Sequence, residues 1–361
     1  MKKNIFIIDD SALMRRVLSD IINSDNRFHT MDFAANGLEA LDVMLKKAKD
    51  FDAILLDINM PKMNGIEFLV QLKKCGIKGN IIIVSTIAKK DVLETIRALE
   101  LGAFDFITKP ETYMEASKNV FSQRLLECLA HAVKSGPLEL GDSKEICRTT
   151  GIENSVPWKR EQVQLKQYKS KLVAIACSTG GPKALHSVIP RLPTNLDAPV
   201  LIVQHMPAGF TKSLADRLNE ISEIEVSEAC NGDILQKGRV YIAKGGRQLR
   251  VNQNDREQFY LSVTTEPAKH GLQPCADIMY ESLLKTKFDQ ITCVVLTGMG
   301  GDGTAGILQL NKEKNVYVIA QNEETCVVYG MPKVIKDAGI VDEVVALEDI
   351  SDAIIKNVGV R

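Results

Sequence analysis

The chain has no paired cysteines, no basic run and no long apolar stretch, and each absence removes a class of function. Its eight cysteines are scattered without a C-x-x-C spacing, so neither a zinc site nor a disulfide framework is expected, and a reduced, cytoplasmic setting fits. Formal net charge is −1, which gives no electrostatic reason to propose a nucleic-acid partner. The opening Met1-Lys-Lys-Asn-Ile-Phe-Ile-Ile-Asp9-Asp10 meets two carboxylates too early for a signal-peptide core or a membrane span. What remains is a soluble composition, 45% hydrophobic and 25% charged over 361 residues. That length implies two domains of about 150 to 200 residues.

Residues 1 to 134 alternate apolar runs with amphipathic segments. Strands are expected at Ile5–Ile8, His29–Ala34, Ala53–Leu56, Ile81–Val84 and Phe104–Ile107; helices at Ala12–Ile22, Gly37–Lys47, Ile66–Lys73 and Val92–Leu101. Repeated βα units of this length imply a parallel sheet covered on both faces. Ligands of such sheets gather outside the carboxyl ends of the strands, where Asp9, Asp10, Asp57, Ser85 and Lys109 stand. Close carboxylates repel by several kcal/mol per pair at an effective dielectric of about 20. A hard divalent cation relieves this, and Mg²⁺ also recruits phosphate oxygens. Any one of these acids reads equally well as a helix cap; their convergence on one sheet edge makes capping the weaker account.

The motifs Asp9-Asp10, Asp57-x-x-Met60-Pro61-x-x-x-Gly65, Ser85 and Thr108-Lys109-Pro110 resemble a response-regulator receiver domain. The resemblance implies a flavodoxin-like fold with a five-stranded parallel sheet. It also implies Asp57 as phosphoacceptor and Mg²⁺ held by Asp9, Asp10 and Asp57. Ser85 and Lys109 would be the switch pair, and Phe106 the aromatic whose burial changes on phosphorylation. A histidine kinase is the implied partner.

Residues 135–170 mix glycine, proline and charge with little periodicity and read as a linker, with helical order possible near Arg160–Lys169 and the single tryptophan, Trp158, inside it. The second domain, 171–361, opens on Leu172–Cys177, an unbroken apolar run that fits a strand buried on both faces. Ser178-Thr179-Gly180-Gly181-Pro182 then makes a sharp turn into a helix over Lys183–Ile189. Such a turn lifts the serine hydroxyl beside free helix N–H groups; a plain N-cap is the rival reading. A second buried strand, Ala198–Val203, ends at His205, and a third, Ile291–Leu296, runs into Thr297-Gly-Met-Gly-Gly-Asp302-Gly-Thr304. That glycine loop lacks the Lys-Ser/Thr ending of a P-loop. Ser178, His205 and Asp302 are the parts of a hydrolytic triad: nucleophile, base and orienting acid. The rivals are Cys177 as nucleophile and His270 as base. Gly238–Ala243, Gln248–Asn252 and Gln258–Thr264 are expected to form antiparallel strands, a hairpin insertion in an otherwise doubly wound, mainly parallel domain.

Ser178-Thr-Gly-Gly-Pro182, Gln204-His-Met-Pro-x-Gly-Phe210, Leu296-Thr-Gly-Met-Gly-x-Asp-Gly303 and Cys326-Val-Val-Tyr-Gly-Met-Pro332 together resemble the chemotaxis protein-glutamate methylesterases. The resemblance implies hydrolysis of glutamyl methyl esters, and deamidation of glutamines, on chemoreceptors that would be the membrane-bound partners. It implies Ser178, His205 and Asp302 as the triad, with the backbone N–H of Thr179 or Met299 as oxyanion donors and no cofactor for the esterase. An unphosphorylated receiver is expected to cover the cleft through the face around Ser85, Phe106 and Val92–Leu101. The competing class is a non-enzymatic response regulator whose C-terminal domain binds a partner; it calls for a recognition helix in place of these strands.

Overall fold

The computed structural model describes residues 1–110, 119–135 and 168–361. Most of the expected linker, including Trp158 and much of Arg160–Lys169, falls outside the described residues. No described helix is long and apolar enough to cross a membrane.

The first sheet contains β1 (Lys3–Ile8), β2 (Phe28–Ala34), β3 (Ala53–Leu56), β4 (Ile81–Ser85) and β5 (Asp105–Thr108), all parallel, in the order β2-β1-β3-β4-β5. Around it lie α1 (Ala12–Ser24), α2 (Gly37–Lys47), α3 (Gly65–Lys74), α4 (Lys89–Glu100) and α5 (Asn119–Ser135). Polar caps fix where the helices begin. Ser11 and Asn36 accept the amides of Met14 and Glu39, and Asn64 with Glu67 closes a reciprocal capping box. Strand interiors such as Ala53–Leu56 are buried throughout because helices cover both faces.

The second sheet is wholly parallel, with seven strands in the order β14-β13-β12-β6-β7-β9-β8. They are β6 (Lys171–Cys177), β7 (Val200–Gln204), β8 (Glu225–Glu228), β9 (Arg239–Ile242), β12 (Gln290–Val295), β13 (Val316–Gln321) and β14 (Glu343–Val345). A separate antiparallel hairpin joins β10 (Gln248–Gln253) to β11 (Phe259–Thr264). The helices are α6 (Gly181–Val188), α7 (Phe210–Ile221), α8 (Ala276–Leu283), α9 (Thr304–Glu313), α10 (Met331–Asp337) and α11 (Ile350–Val358).

One expectation is corrected. The Gly238–Ala243 run is not part of the antiparallel hairpin; β9 pairs in parallel with β7 and β8. Val240, Tyr241 and Ile242 are all buried, and a strand buried on both faces belongs inside a parallel sheet rather than in a half-solvated hairpin. From β6 the chain proceeds to β7 on one side and later to β12 on the other. The carboxyl ends of β6 and β12 therefore flank the switch point where open α/β sheets place their ligands.

Candidate active site

Cys177 pairs with Gln204 and Ala176 with Val295, so the residues that follow these strands emerge at one level. The Ser178 N–H donates to Thr297 O at 3.1 Å, and the His205 N–H donates to Cys177 O at 3.2 Å. The buried side chain of Gln204 donates to Ser178 O at 3.0 Å and fastens the turn from below. Close approach explains the glycines. A Cβ on Gly298 would lie 2.9 Å from Ser178 Cβ and 2.4 Å from Met331 Sδ. Gly180 takes φ +77° and presses on Val327.

His205 Nε2 lies 2.8 Å from Asp302 Oδ2. A carboxylate only accepts, so Nε2 carries a proton, and in the neutral ring the lone pair sits on Nδ1. Burial alone would raise the Asp302 carboxyl. The bond and charge of His205, the Cys275 thiol and the Ala276 N–H outweigh it and hold Asp302 well below the usual carboxylate range. Ser178, Thr179, His205, His270, Met299 and Asp302 line one cleft of about 890 Å³. The Ser178 bonds run through its backbone; among the described residues its hydroxyl is not bonded to the imidazole. The N–H groups of Thr179 and Met299 meet no backbone acceptor among the described residues. His270 lines the same cleft, but the imidazole bonded to Asp302 is that of His205. Cys177 is fully buried, with its thiol pushed up by burial, and its sulfur faces Val203 O; that environment suits packing, not nucleophilic attack.

At the first sheet's edge, ligand atoms of Asp9, Asp10 and Asp57 lie within 4.8 Å of one another. An oxygen-only set of this kind fits a hard divalent cation. Lys109 Nζ sits 2.9 Å from Asp9 and 2.8 Å from Asp57. Burial beside Asp9 pushes Asp57 up to about 6 despite Lys109, while the two carboxylates overcome burial and raise the Lys109 ammonium. Two carboxylates thus share one cation. Ser85 Oγ is bonded to Thr95 Oγ1 at 2.8 Å, and Phe106 is buried.

Family comparisons agree with both halves. A family model described as CheB methylesterase matches residues 173–354, and one described as response regulator receiver domain matches residues 5–120. Protein-glutamate methylesterase/protein-glutamine glutaminase 1 of Syntrophomonas wolfei is 37% identical over 98% of this chain and 99% of its own. The protein-glutamate methylesterase/protein-glutamine glutaminase of Bacillus subtilis is 40% identical over 97% of each. The chain belongs to this methylesterase family. The crystal structure of the Thermotoga maritima CheB methylesterase catalytic domain matches with a TM-score of 0.50 and 38% identity, covering 52% of this chain and 99% of that one.

In this family member the receiver lies over the methylesterase cleft, whose wall includes Asp105, Phe106, Arg124 and Glu127. Thr179 Oγ1, one residue past Ser178, donates to half-buried Asp105 at 2.6 Å. Phe106 stacks on Phe210 at the start of α7, with ring centroids 4.5 Å apart. Glu100 at the end of α4 takes His186 Nε2 at 2.8 Å and Arg217 Nε at 2.6 Å. Met299, Val327 and Val328 pack into the receiver cluster that contains Leu125 and Leu129 of α5. The expected contact face is borne out for Phe106 and α4. Sequence reasoning did not single out Asp105, Glu100, His186 or Arg217, because nothing local in the chain marks residues that meet across domains.

Proposed function

We propose that the chain is a phosphorylation-gated esterase that hydrolyses methyl esters of chemoreceptor glutamates and deamidates glutamines there. It would work in the cytoplasm on membrane-bound receptors and be phosphorylated by a chemotaxis histidine kinase. In this reading, residues 1–134 are the regulator, 135–170 the linker and 171–361 the catalyst. The observation that carries it is the His205–Asp302 bond in the cleft that Ser178 lines, roofed by the receiver.

His205 Nδ1 takes the proton from Ser178 Oγ as the oxygen attacks the ester carbonyl. The N–H groups of Thr179 and Met299 receive the developing oxyanion, where preorganised donors contribute most. The imidazolium, steadied by Asp302, returns its proton to the departing methoxide. Water then enters by the same route in reverse and frees glutamate. A glutamine substrate gives ammonia in place of methanol.

Asp57 is the phosphoacceptor, with Ser85 and Lys109 meeting the phosphoryl oxygens. Mg²⁺, held by Asp9, Asp10 and Asp57, would neutralise charge on that group. Lys109 then exchanges a carboxylate partner for the phosphoryl group. This biases β5, with Asp105 and Phe106 on it, away from the cleft, and the cover lifts.

The test is methanol release from methylated receptor membranes, for wild type and Ser178→Ala, with and without a small phosphodonor. Stimulation of wild type and silence of Ser178→Ala are expected. Turnover by Ser178→Ala would remove the triad, and a rate indifferent to the phosphodonor would remove the gate.

A further inference from the structure

The capping of α8 and α9 has an unusual form. Neither helix is capped by its own N-cap side chain: Cys275 precedes α8 and Gly303 precedes α9, and neither makes a side-chain cap bond. Each helix instead takes a carboxylate from the other. Asp302 accepts the first amides of α8, from Ala276 N–H at 2.6 Å and Asp277 N–H at 3.0 Å. Asp277 Oδ1 in turn accepts the Gly303 N–H at 3.1 Å and the Gly306 N–H at 2.7 Å, at the start of α9. The Cys275 thiol, pushed up to about 12 by burial and by Asp302, stays protonated and donates to Asp302 Oδ1 at 3.1 Å.

We propose that Asp277 is a positioning residue for the esterase reaction, acting through Asp302 and resting on the triad reading above. The unpaired amides of a helix start attract a carboxylate and favour its ionised form. With Ala276, Asp277, Cys275 and His205 all on Asp302, the carboxylate has little freedom to rotate. The loop that carries it, Gly298 to Gly303, is rich in glycine. Gly303 adopts φ +92°, and Gly306 packs so close that a Cβ would lie 2.7 Å from Tyr280 Cβ. Asp277 is the side chain that ties this glycine-rich segment to α8, and it is 4% exposed. Removing its acceptor leaves two buried amides unpaired, which is costly. The segment then drifts from the α8 amides, and Asp302 swings away from His205 Nε2. Asp277 stands in the cleft wall, but its Oδ1 is engaged by the Gly303 and Gly306 amides and a smaller side chain there leaves the cleft open, so the loss belongs in turnover rather than in affinity.

The test compares Asp277→Ala and Asp277→Asn in the full-length phosphorylated protein, with methanol release from methylated receptor membranes as the assay. Asparagine keeps the Oδ1 acceptor and should retain kcat within several-fold. Alanine should lower kcat about 100-fold with KM nearly unchanged. In the proton spectrum, the low-field resonance of the His205–Asp302 bond should persist in the asparagine variant and vanish in the alanine variant. The acid limb of the kcat/KM profile should move to lower pH in the alanine variant alone, because its imidazolium loses carboxylate support. Should Asp277→Ala not fold, Asp277→Ser, whose hydroxyl reaches at most one amide, is held to the same criteria. Wild-type kcat in Asp277→Ala, or an unshifted limb with the resonance intact, overturns the proposal. Turnover in a Ser178→Ala control would instead overturn the triad beneath it.

Discussion

Replacing Glu100 with alanine should raise the esterase rate of the unphosphorylated protein. Glu100 reaches from α4 to His186 and Arg217 of the catalytic domain and holds the receiver against them. The His186 side chain is 5% exposed, and its Nδ1 already faces Pro182 O at 2.7 Å. Losing a charged acceptor at such a site costs about 1.5–2 kcal/mol. Arg217 is 42% exposed and keeps Glu220 at 3.0 Å, so solvent screening limits its share to about 1 kcal/mol or less. The sum, about 1.5–3 kcal/mol, changes the closed-to-open ratio about 10- to 150-fold. Methanol release without phosphodonor should rise accordingly, up to the ceiling set by the phosphorylated enzyme, and stimulation should shrink in proportion. Asp42→Ala, which breaks an exposed ion pair with Lys46 within α2, serves as the control and should change neither rate. Burial raises the Glu100 carboxyl, but the bonds from His186 and Arg217 prevail and lower it. Its contribution to docking is therefore complete above the ordinary carboxylate range and is lost only as pH falls through the depressed docked value. An unchanged basal rate in Glu100→Ala, with undiminished stimulation, would refute the docking argument.

Three further outcomes follow from the same contacts. Ser178→Ala should cut turnover about a millionfold, and His205→Ala added to it should cost little more, because the triad acts as a unit; kinetics of the single and double variants would reveal additive losses if it does not. Asp57→Asn should stabilise the metal-free protein at pH 8. The carboxyl is raised from 3.8 to about 6, so its ionisation opposes folding by about 3 kcal/mol above that value. The gain should shrink as pH falls through 6 and vanish near 4, and thermal melts in chelator would show no such trend if Asp57 ionised freely. Gly298→Ala should lower kcat about 10- to 100-fold, since its methyl would meet Ser178 Cβ at 2.9 Å and Met331 Sδ at 2.4 Å; a variant with normal kcat would show that the turn yields without moving the nucleophile.

The parts of the fold that were legible in sequence are those with a local physical cause. Strands buried on both faces appear as apolar runs, and Ser178, His205 and Asp302 follow three of them. Receiver acids at strand ends stand out for the same reason. The turns beside Gly238–Ala243 suggest a hairpin, whereas its pairing is decided by β7, which is distant in sequence. Asp277 was hidden because an aspartate in the first turn of a helix is an ordinary find; its value lies in the α9 amides it meets. Glu100 is separated by 86 residues from His186 and by 117 from Arg217, and no periodicity extends across such distances.

Strand β5 is where these contacts meet. Alternate side chains of a strand point to opposite faces, so Asp105 and Phe106 grip different parts of the catalytic domain. Asp105 holds Thr179 beside Ser178, and Phe106 holds the helix that follows the His205 loop. Immediately beyond this strand, Lys109 spans Asp9 and Asp57, and its N–H donates to Ser85 O at 2.7 Å. The strand is at the sheet edge, fastened on one side only by β4. It can therefore shift without breaking a second ladder, which interior strands cannot do. In the proposed gate, a change in what Lys109 pairs with is delivered, within a few residues, to both the turn of Ser178 and the helix that follows His205. Closely packed interfaces respond to such small shifts by separating rather than by deforming, so in the proposed gate a single phosphoryl group on Asp57 is expected to uncover the cleft.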